Sequence, residues 1–185
     1  MQMREIISSE QFLELWDKDN TTDAILEVEA YLIDEKIMSI NSMLKHIVEE
    51  KKQVSGGDDW HDGAFRATDS AANNLVEQGN SFAKALNWKI VRSPDSNLEV
   101  ATLGSRVVLK QNHKFVYAVD VVGMSLLHAY GDEDVSIASL KSPIGKALVD
   151  KSVGQEFSAI LGNGRQDIEI LEAYPSPSLK METRI

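Results

Sequence analysis

Residues 55–65 read Ser-Gly-Gly-Asp-Asp-Trp-His-Asp-Gly-Ala-Phe, and they separate two long segments that each have helical periodicity. A helix does not easily continue through adjacent glycines such as Gly56 and Gly57, because glycine has the largest backbone freedom of any residue. We therefore interpret residues 55–65 as the tip of an antiparallel helical hairpin.

Apolar residues on both sides of the tip are separated by alternating steps of four and three, the spacing of an a/d coiled-coil seam. Lys51 is the one charged residue in this pattern. Two amphipathic helices within a globular bundle are the alternative to a projecting hairpin. The seam positions are Leu26, Ala30, Ile33, Ile37, Ile40, Leu44, Ile47, Lys51 and Val54 before the tip, and Phe65, Thr68, Ala72, Leu75, Gly79, Phe82 and Leu86 after it.

The regions on either side of the hairpin have shorter elements. Ser8 and Gln11 have capping-box spacing and predict a short helix over residues 9–17. After residue 93 the apolar period changes to two, which is typical of strands. We predict strands at 100–103, 106–110, 115–122, 135–138, 156–161 and 167–173, and a short helix that begins at Ser142 with Pro143 at its first position.

The predicted fold class is α+β, with an N-terminal antiparallel α-helical coiled-coil hairpin followed by a small antiparallel β domain that has one short helix. The expected organisation is an N-terminal part at 1–92, a linker at 93–98, a C-terminal domain at 99–174 and a flexible tail at 175–185.

Composition excludes several classes of protein. The 185 residues have a formal net charge of −10, which argues against a passive nucleic-acid coat, since such a coat needs a basic surface. The chain has no cysteine, so disulfides and thiolate metal sites are excluded. No apolar run approaches the roughly 20 residues that span a membrane. These features suit a cytoplasmic protein without a membrane segment.

The acidic residues of the tip are candidate ligands for Mg²⁺, which is usually held by one or two carboxylates together with phosphates and waters. Asp58, Asp59 and Asp62 supply three carboxylates, and His61 is able to orient a water or carry a proton near neutral pH. An exposed loop of this kind would bind the ion weakly unless a partner completed the site. The alternative is a solvated turn in which Asp58 or Asp62 caps the second helix.

Four other residues near the tip are candidates for contact with nucleic acid. Trp60 places an apolar ring on a turn, where it either stacks on a base, packs on a partner protein or folds back onto Phe65. Three basic side chains are either phosphate contacts or ordinary helix-surface charge. They are Lys51, Lys52 and Arg66.

Residues 135–156, which contain Ser142-Pro143-Ile144-Gly145-Lys146-Ala147-Leu148, resemble the C-terminal domain of the bacterial Gre transcript-cleavage factors. That family has a strand, then Ser-Pro-x-(Gly/Ala)-x-Ala-Leu, then Lys-x-x-Gly-(Asp/Gln)-Glu and a Gly-containing hairpin. Residues 162–164 and 168–171 fall where the hairpin and the last strand should be. With the helical hairpin upstream, the resemblance covers residues 9–174 and implies an FKBP-like C-terminal domain.

The resemblance implies a monomeric elongation factor that binds bacterial RNA polymerase at its secondary channel. The loop with Lys141, Ser142 and Pro143 would contact the channel rim, and the coiled coil would reach the active centre. There, Asp58 and Asp62 would help to hold Mg²⁺ and a water, and the polymerase itself would cleave backtracked nascent RNA. The chain would then not be an enzyme by itself.

The tip departs from the family pattern at one position. Alignment of Gly57-Asp58 with the Gly-Asp pair of family tips places His61 where those tips carry an essential glutamate. This difference favours, as an alternative, a Gre-fold regulator or inhibitor that occupies the channel without stimulating cleavage. A third and weaker interpretation is an FKBP-like binding module or prolyl isomerase.

Overall fold

The protein divides into an α+β unit, formed by residues 1–30 and 88–185, and a helical unit formed by residues 31–87. The computed structural model describes residues 5–19, 22–54, 62–124, 135–162 and 164–179. Residues 1–30 thus belong to the unit that contains the C-terminal sheet, whereas the sequence patterns grouped them with the helices. The α+β class predicted from the sequence is confirmed.

Three short parallel strands form the first sheet of the α+β unit. They are β1 (Ile6–Ile7), β2 (Ala24–Leu26) and β3 (Lys89–Val91), in the order β1-β3-β2. None of them was predicted, because strands of two or three residues are too short to show a period. Leu26, expected at the start of the helical seam, lies instead in β2, and its side chain is fully buried.

Helix α1 (Ser9–Asp19) connects β1 to the segment before β2. The predicted capping box is present: the Ser8 backbone N–H donates to Gln11 Oε1 at 2.9 Å, and the Gln11 N–H donates to Ser8 Oγ at 3.3 Å. Phe12 and Trp16 are buried on one face of α1, with ring centroids 5.8 Å apart. The helix is therefore held by a polar cap at its start and an apolar face along its length.

Five longer strands form the second sheet, in the order β6-β5-β4-β8-β7. The sheet is mixed rather than antiparallel throughout, since β6 pairs with β5 in parallel and the other neighbours are antiparallel. The chain between β5 and β6 is long enough for the crossover that a parallel pair requires. The strands are β4 (Ser105–Gln111), β5 (Phe115–Val122), β6 (Ser136–Ser139), β7 (Glu156–Leu161) and β8 (Gly164–Pro175).

One predicted strand is wrong. Residues 100–103 form no strand apart from an isolated bridge between Val100 and Ser152, although Ala101 and Leu103 are fully buried. The backbone N–H of Ala101 donates to the Lys151 carbonyl at 2.8 Å. The segment is apolar because it is a buried connection, and burial alone does not distinguish such a connection from a strand.

The C-terminal segment differs from the predicted flexible tail as far as it is described. Pro175 ends β8, and Pro177–Leu179 form a 3-10 turn in which Leu179 is buried. Arg106 donates from Nη2 to Ser178 Oγ at 2.8 Å, and Ser93 Oγ donates to the Leu179 carbonyl at 3.0 Å. These contacts hold residues 175–179 against the sheet.

Two long helices flank the predicted tip. Helix α2 (Glu27–Val54) begins directly after β2 and continues into the helical unit, and α3 (Asp62–Ala85) follows the tip. From Tyr31 to Lys52, the less exposed positions include every predicted seam residue, and in α3 from Arg66 onward the seam residues are less exposed than their neighbours. The predicted seam residues are thus among the less exposed positions of both helices. Among the described residues, no helix has the length and apolar character needed to cross a membrane.

Candidate functional site: the hairpin tip and the loop before the short helix

The predicted tip lies between the end of α2 at Val54 and the start of α3 at Asp62. Asp58, Asp59, Trp60 and His61 lie outside the described residues, and so do the side chains of Asp62 and Phe65. The described parts of the chain contain no group of three or more His, Cys, Asp or Glu residues able to hold a metal ion. The Mg²⁺ site at Asp58 and Asp62 therefore stays a prediction.

Helices α2 and α3 run antiparallel, as two contacts between them show. Lys51 Nζ forms an ion pair with Asp69 near the tip. Further from the tip, a Cβ built on Gly79 would lie 3.6 Å from Ile40 Cγ2, an ordinary van der Waals distance. The small residue at position 79 thus leaves room for the isoleucine of the opposite helix, as the seam pattern predicts.

The basic residues predicted to contact RNA lie on the two helices beside the tip. Lys52 is exposed near the end of α2, and Arg66 is exposed in the first turns of α3. Lys51 occupies the seam, where its side chain is 27% exposed, and its ammonium pairs with Asp69. The structure thus brings these three cations to the same end of the two helices, where Lys51 pairs with Asp69.

The loop before the short helix α4 (Pro143–Leu148) is tightly defined. Ser142 is the N-cap: its Oγ accepts the Gly145 N–H at 3.0 Å and donates to the Ser139 carbonyl at 2.7 Å. A Cβ at Gly145 would lie only 2.0 Å from that same carbonyl oxygen, so the close approach requires glycine. Ser142, Pro143 and Gly145 therefore have a local structural role that accounts for their spacing.

Lys141, beside this cap, contacts two residues from the N-terminal half of the chain. Its Nζ lies 3.2 Å from Asp23 Oδ1 and 4.2 Å from the centroid of the Trp88 ring. The lysine side chain is still 61% exposed. A cation over an indole face is favourable even at an exposed position. Lys141 thus joins the predicted partner-binding loop to the segments that flank β2 and β3.

Sequence patterns did not identify Glu29, a fully buried carboxylate in the first turn of α2. Its Oε2 accepts the N–H groups of Leu26 at 2.9 Å and Gly123 at 2.8 Å, and its Oε1 accepts the Met124 N–H at 2.6 Å. Burial raises the pKa of this carboxyl to about 7, although the three hydrogen bonds act in the opposite direction. An acidic residue in a first helical turn is common, so the sequence carried no signal of burial.

Comparison with known proteins locates one family match. Residues 94–175 match the model described as transcription elongation factor, GreA/GreB, C-terminal. This region contains the whole five-stranded sheet, the Ser142 cap and helix α4. A comparison with curated proteins found no significant match.

Three solved structures are similar to the chain at low identity. GreA factor homolog 1 (Gfh1) of Thermus thermophilus is 18% identical over 83% of this chain and 99% of its own, with a TM-score of 0.36. Gfh1 of Thermus aquaticus is 21% identical over 82% and 97%, with a TM-score of 0.37. The GreA/GreB factor from Nitrosomonas europaea is 15% identical over 82% and 98%, with a TM-score of 0.32.

Proposed function

We propose that the chain is a divergent member of the Gre family of transcription elongation factors, and that it binds RNA polymerase at the secondary channel and promotes cleavage of backtracked nascent RNA. The observation that carries the proposal is the acidic segment 55–65 between two antiparallel helices, in a chain that also has a GreA/GreB C-terminal domain. The protein would act in the cytoplasm, with the polymerase, and as a monomer.

The carboxylates of the tip have the chemistry that this role requires. Asp58 and Asp62 offer hard oxygen ligands of the kind Mg²⁺ prefers, and Asp59 adds negative charge beside them. Bound Mg²⁺ would supply stabilisation of the charge that develops at phosphorus. His61 would orient the attacking water or accept its proton. The polymerase would supply the remaining ligands and the RNA, so the chain is a stimulating factor rather than an enzyme by itself.

Neighbouring side chains would hold the RNA. Lys52 and Arg66 are exposed on the helices beside the tip, where they would contact phosphate oxygens. Trp60 would stack on a base, since an aromatic ring tolerates any base sequence. Lys51 is not included in this group, because its ammonium pairs with Asp69. Substitution of the exposed cations would weaken RNA retention without altering the helices that carry them.

The loop with Lys141, Ser142 and Pro143 would contact the polymerase. Pro143 is exposed, and the Ser142 cap fixes the backbone that presents it. A surface fixed in this way loses little conformational entropy on binding. Lys141 would contribute a cation whose position is set by Asp23 and Trp88.

One feature of the sequence favours a second candidate function. His61 stands at the position where family tips carry glutamate, so the tip has a neutral-capable imidazole in place of a fixed carboxylate. A tip of this kind would still occupy the channel. The second candidate is therefore a Gre-fold regulator that slows nucleotide addition without stimulating cleavage.

The test uses halted elongation complexes of the host organism's polymerase with Mg²⁺, and it measures the length of the RNA. We expect the wild-type protein to shorten the RNA from its 3′ end and Asp58→Ala and Asp62→Ala to abolish this activity. Asp59→Ala and His61→Ala should reduce it. Glu49→Ala, which removes an exposed carboxylate on α2, is the matched control and should retain full activity.

Two other outcomes separate the candidates. Slower nucleotide addition at saturating protein, with no RNA shortening, would reject the cleavage function and support the second candidate, occupancy of the channel without cleavage. Unchanged RNA length together with unchanged elongation rate would refute both functions.

A further inference from the structure

Lys51 occupies a seam position of α2, and every other described seam residue of that helix is apolar. Its side chain is only 27% exposed, and the preceding seam residues Leu44 and Ile47 are likewise partly buried. A lysine in such a position loses part of its hydration, so it reduces the stability of the hairpin unless a partner compensates. Asp69 of α3, which is 52% exposed, supplies the partner.

The Lys51–Asp69 pair and the contact between Ile40 and Gly79 have the same helix register. From Lys51 back to Ile40 and from Asp69 on to Gly79, the chain covers almost the same number of residues in each helix. The two contacts therefore belong to one antiparallel alignment, in which Asp69 lies next to the seam residue Thr68.

The remainder of the seam specifies this alignment weakly. The facing positions are aliphatic on α2 and mostly small or aliphatic on α3, and apolar contacts have no directional preference. A shift by one turn would bring other apolar residues into contact at modest cost. The same shift would separate the Lys51 ammonium from the Asp69 carboxylate, and a single polar residue at an a position is known to specify register in this way.

We propose that Lys51 and Asp69 fix the register of the hairpin, so that Lys51 is a positioning residue for the tip. One turn of slippage displaces one helix along the other by about 5 Å. A displacement of that size would change how residues 55–61 are presented to any partner. The consequence for the tip rests on the proposed function. The register of the two helices does not, because it is a property of the isolated protein.

The test measures distances across the hairpin in the free protein. Because the chain has no cysteine, cysteines placed at exposed Ser39 of α2 and Gln78 of α3 accept nitroxide labels specifically. We expect a single narrow distance in the otherwise unaltered protein. Lys51→Met and Asp69→Asn should each broaden the distribution or add a second distance, because one turn of slippage moves the two labels about 5 Å past each other along the helix axis. The exchange Lys51→Asp with Asp69→Lys should restore the single distance.

The control and the contrary results are specific. Lys45→Met removes an exposed lysine of the same helix and should leave the distance unchanged. Lys51→Met should also keep or raise the melting temperature, because it places an apolar side chain in the seam. A single unchanged distance in both Lys51→Met and Asp69→Asn would overturn the proposal, as would equal broadening in Lys45→Met.

The distance measurement needs no polymerase, so its result is independent of whether the wild-type protein cleaves RNA. If the protein does cleave, we expect Lys51→Met to lose activity and the exchanged pair to recover it. A phosphate-binding role for Lys51 predicts the opposite for the exchanged pair, since that variant has no cation at position 51.

Discussion

The carboxylate of Glu29 accepts a hydrogen bond of 2.8 Å from the backbone N–H of Gly123, a residue 94 positions further along the chain. Glu29 lies in the first turn of α2, which directly follows β2, and Gly123 directly follows β5 of the five-stranded sheet. The same carboxylate accepts the N–H groups of Leu26 and Met124. One buried side chain therefore joins the N-terminal segment to the C-terminal sheet within the α+β unit.

Removal of this carboxylate should destabilise the protein. Glu29→Ala leaves three N–H donors, two of them buried, without their acceptor and opens a cavity, so we expect a loss of about 3 kcal/mol in the free energy of unfolding. Urea denaturation measures it. Glu27→Ala is the matched control, since Glu27 is a partly exposed glutamate of the same helical turn, 3.9 Å from Arg92, and its loss should cost less than about 1 kcal/mol. Equal losses in the two variants would contradict the assigned role.

The stability of the protein should fall as the pH rises from about 4.5 to 7. Burial raises the pKa of Glu29 to about 7 in the folded state, above its ordinary value of 4.5. The folded state then binds more protons than the unfolded state over this range, so ionisation penalises folding. The loss is on the order of 3 kcal/mol. Comparison of unfolding free energies at pH 4.5 and 8 for the wild type and Glu29→Gln isolates this group. If the unfolding free energies of the wild type and Glu29→Gln changed equally with pH, ionisation of Glu29 would not be the cause.

Gly123 should tolerate no side chain. A Cβ there would lie 2.2 Å from the Ala24 carbonyl oxygen and 2.8 Å from Glu29 Oε2, and backbone cannot give way cheaply. We expect Gly123→Ala to cost about 2 kcal/mol or more, as overpacking of a filled interior does. Thermal unfolding measures the change. Gly162→Ala is the control, because nothing lies within 4 Å of its added Cβ; a similar effect at both glycines would refute the steric explanation.

The buried ion pair between β4 and β5 should be sensitive to the loss of one partner. Arg106 Nε and Nη2 donate to the two oxygens of Asp120 at 2.8 and 3.0 Å, and both residues are buried. Asp120→Asn removes the negative charge that pairs with this buried guanidinium, which should cost about 3 kcal/mol. Denaturant unfolding tests this. The more exposed pair of Lys110 and Glu169 provides the comparison, since Glu169→Gln should cost no more than about 1 kcal/mol. A larger loss of stability in Glu169→Gln than in Asp120→Asn would contradict this expectation.

Local patterns predicted elements wherever a repeat or a cap was complete within a few residues. The seam of α2 and α3 repeats over many turns, and Ser142 with Pro143 forms a complete helix start. Strands β4, β5, β7 and β8 have enough β-branched and alternating residues to be visible. The strands β1, β2 and β3 were missed because two or three residues carry no periodic signal.

The amino-acid sequence by itself determined the helical hairpin, the small sheet domain and the acidic composition of the tip, because each depends on residues close together in the chain. Only the tertiary structure decided which charges are paired. In the sequence, Glu29 is an ordinary acidic residue of a first helical turn; in the structure, the N–H groups of Gly123 and Met124 donate to its carboxylate. The sequence likewise does not show that Lys51 pairs with Asp69, or that Lys141 contacts Asp23 and Trp88. Burial and charge pairing depend on partners brought together by folding, and no local pattern contains them.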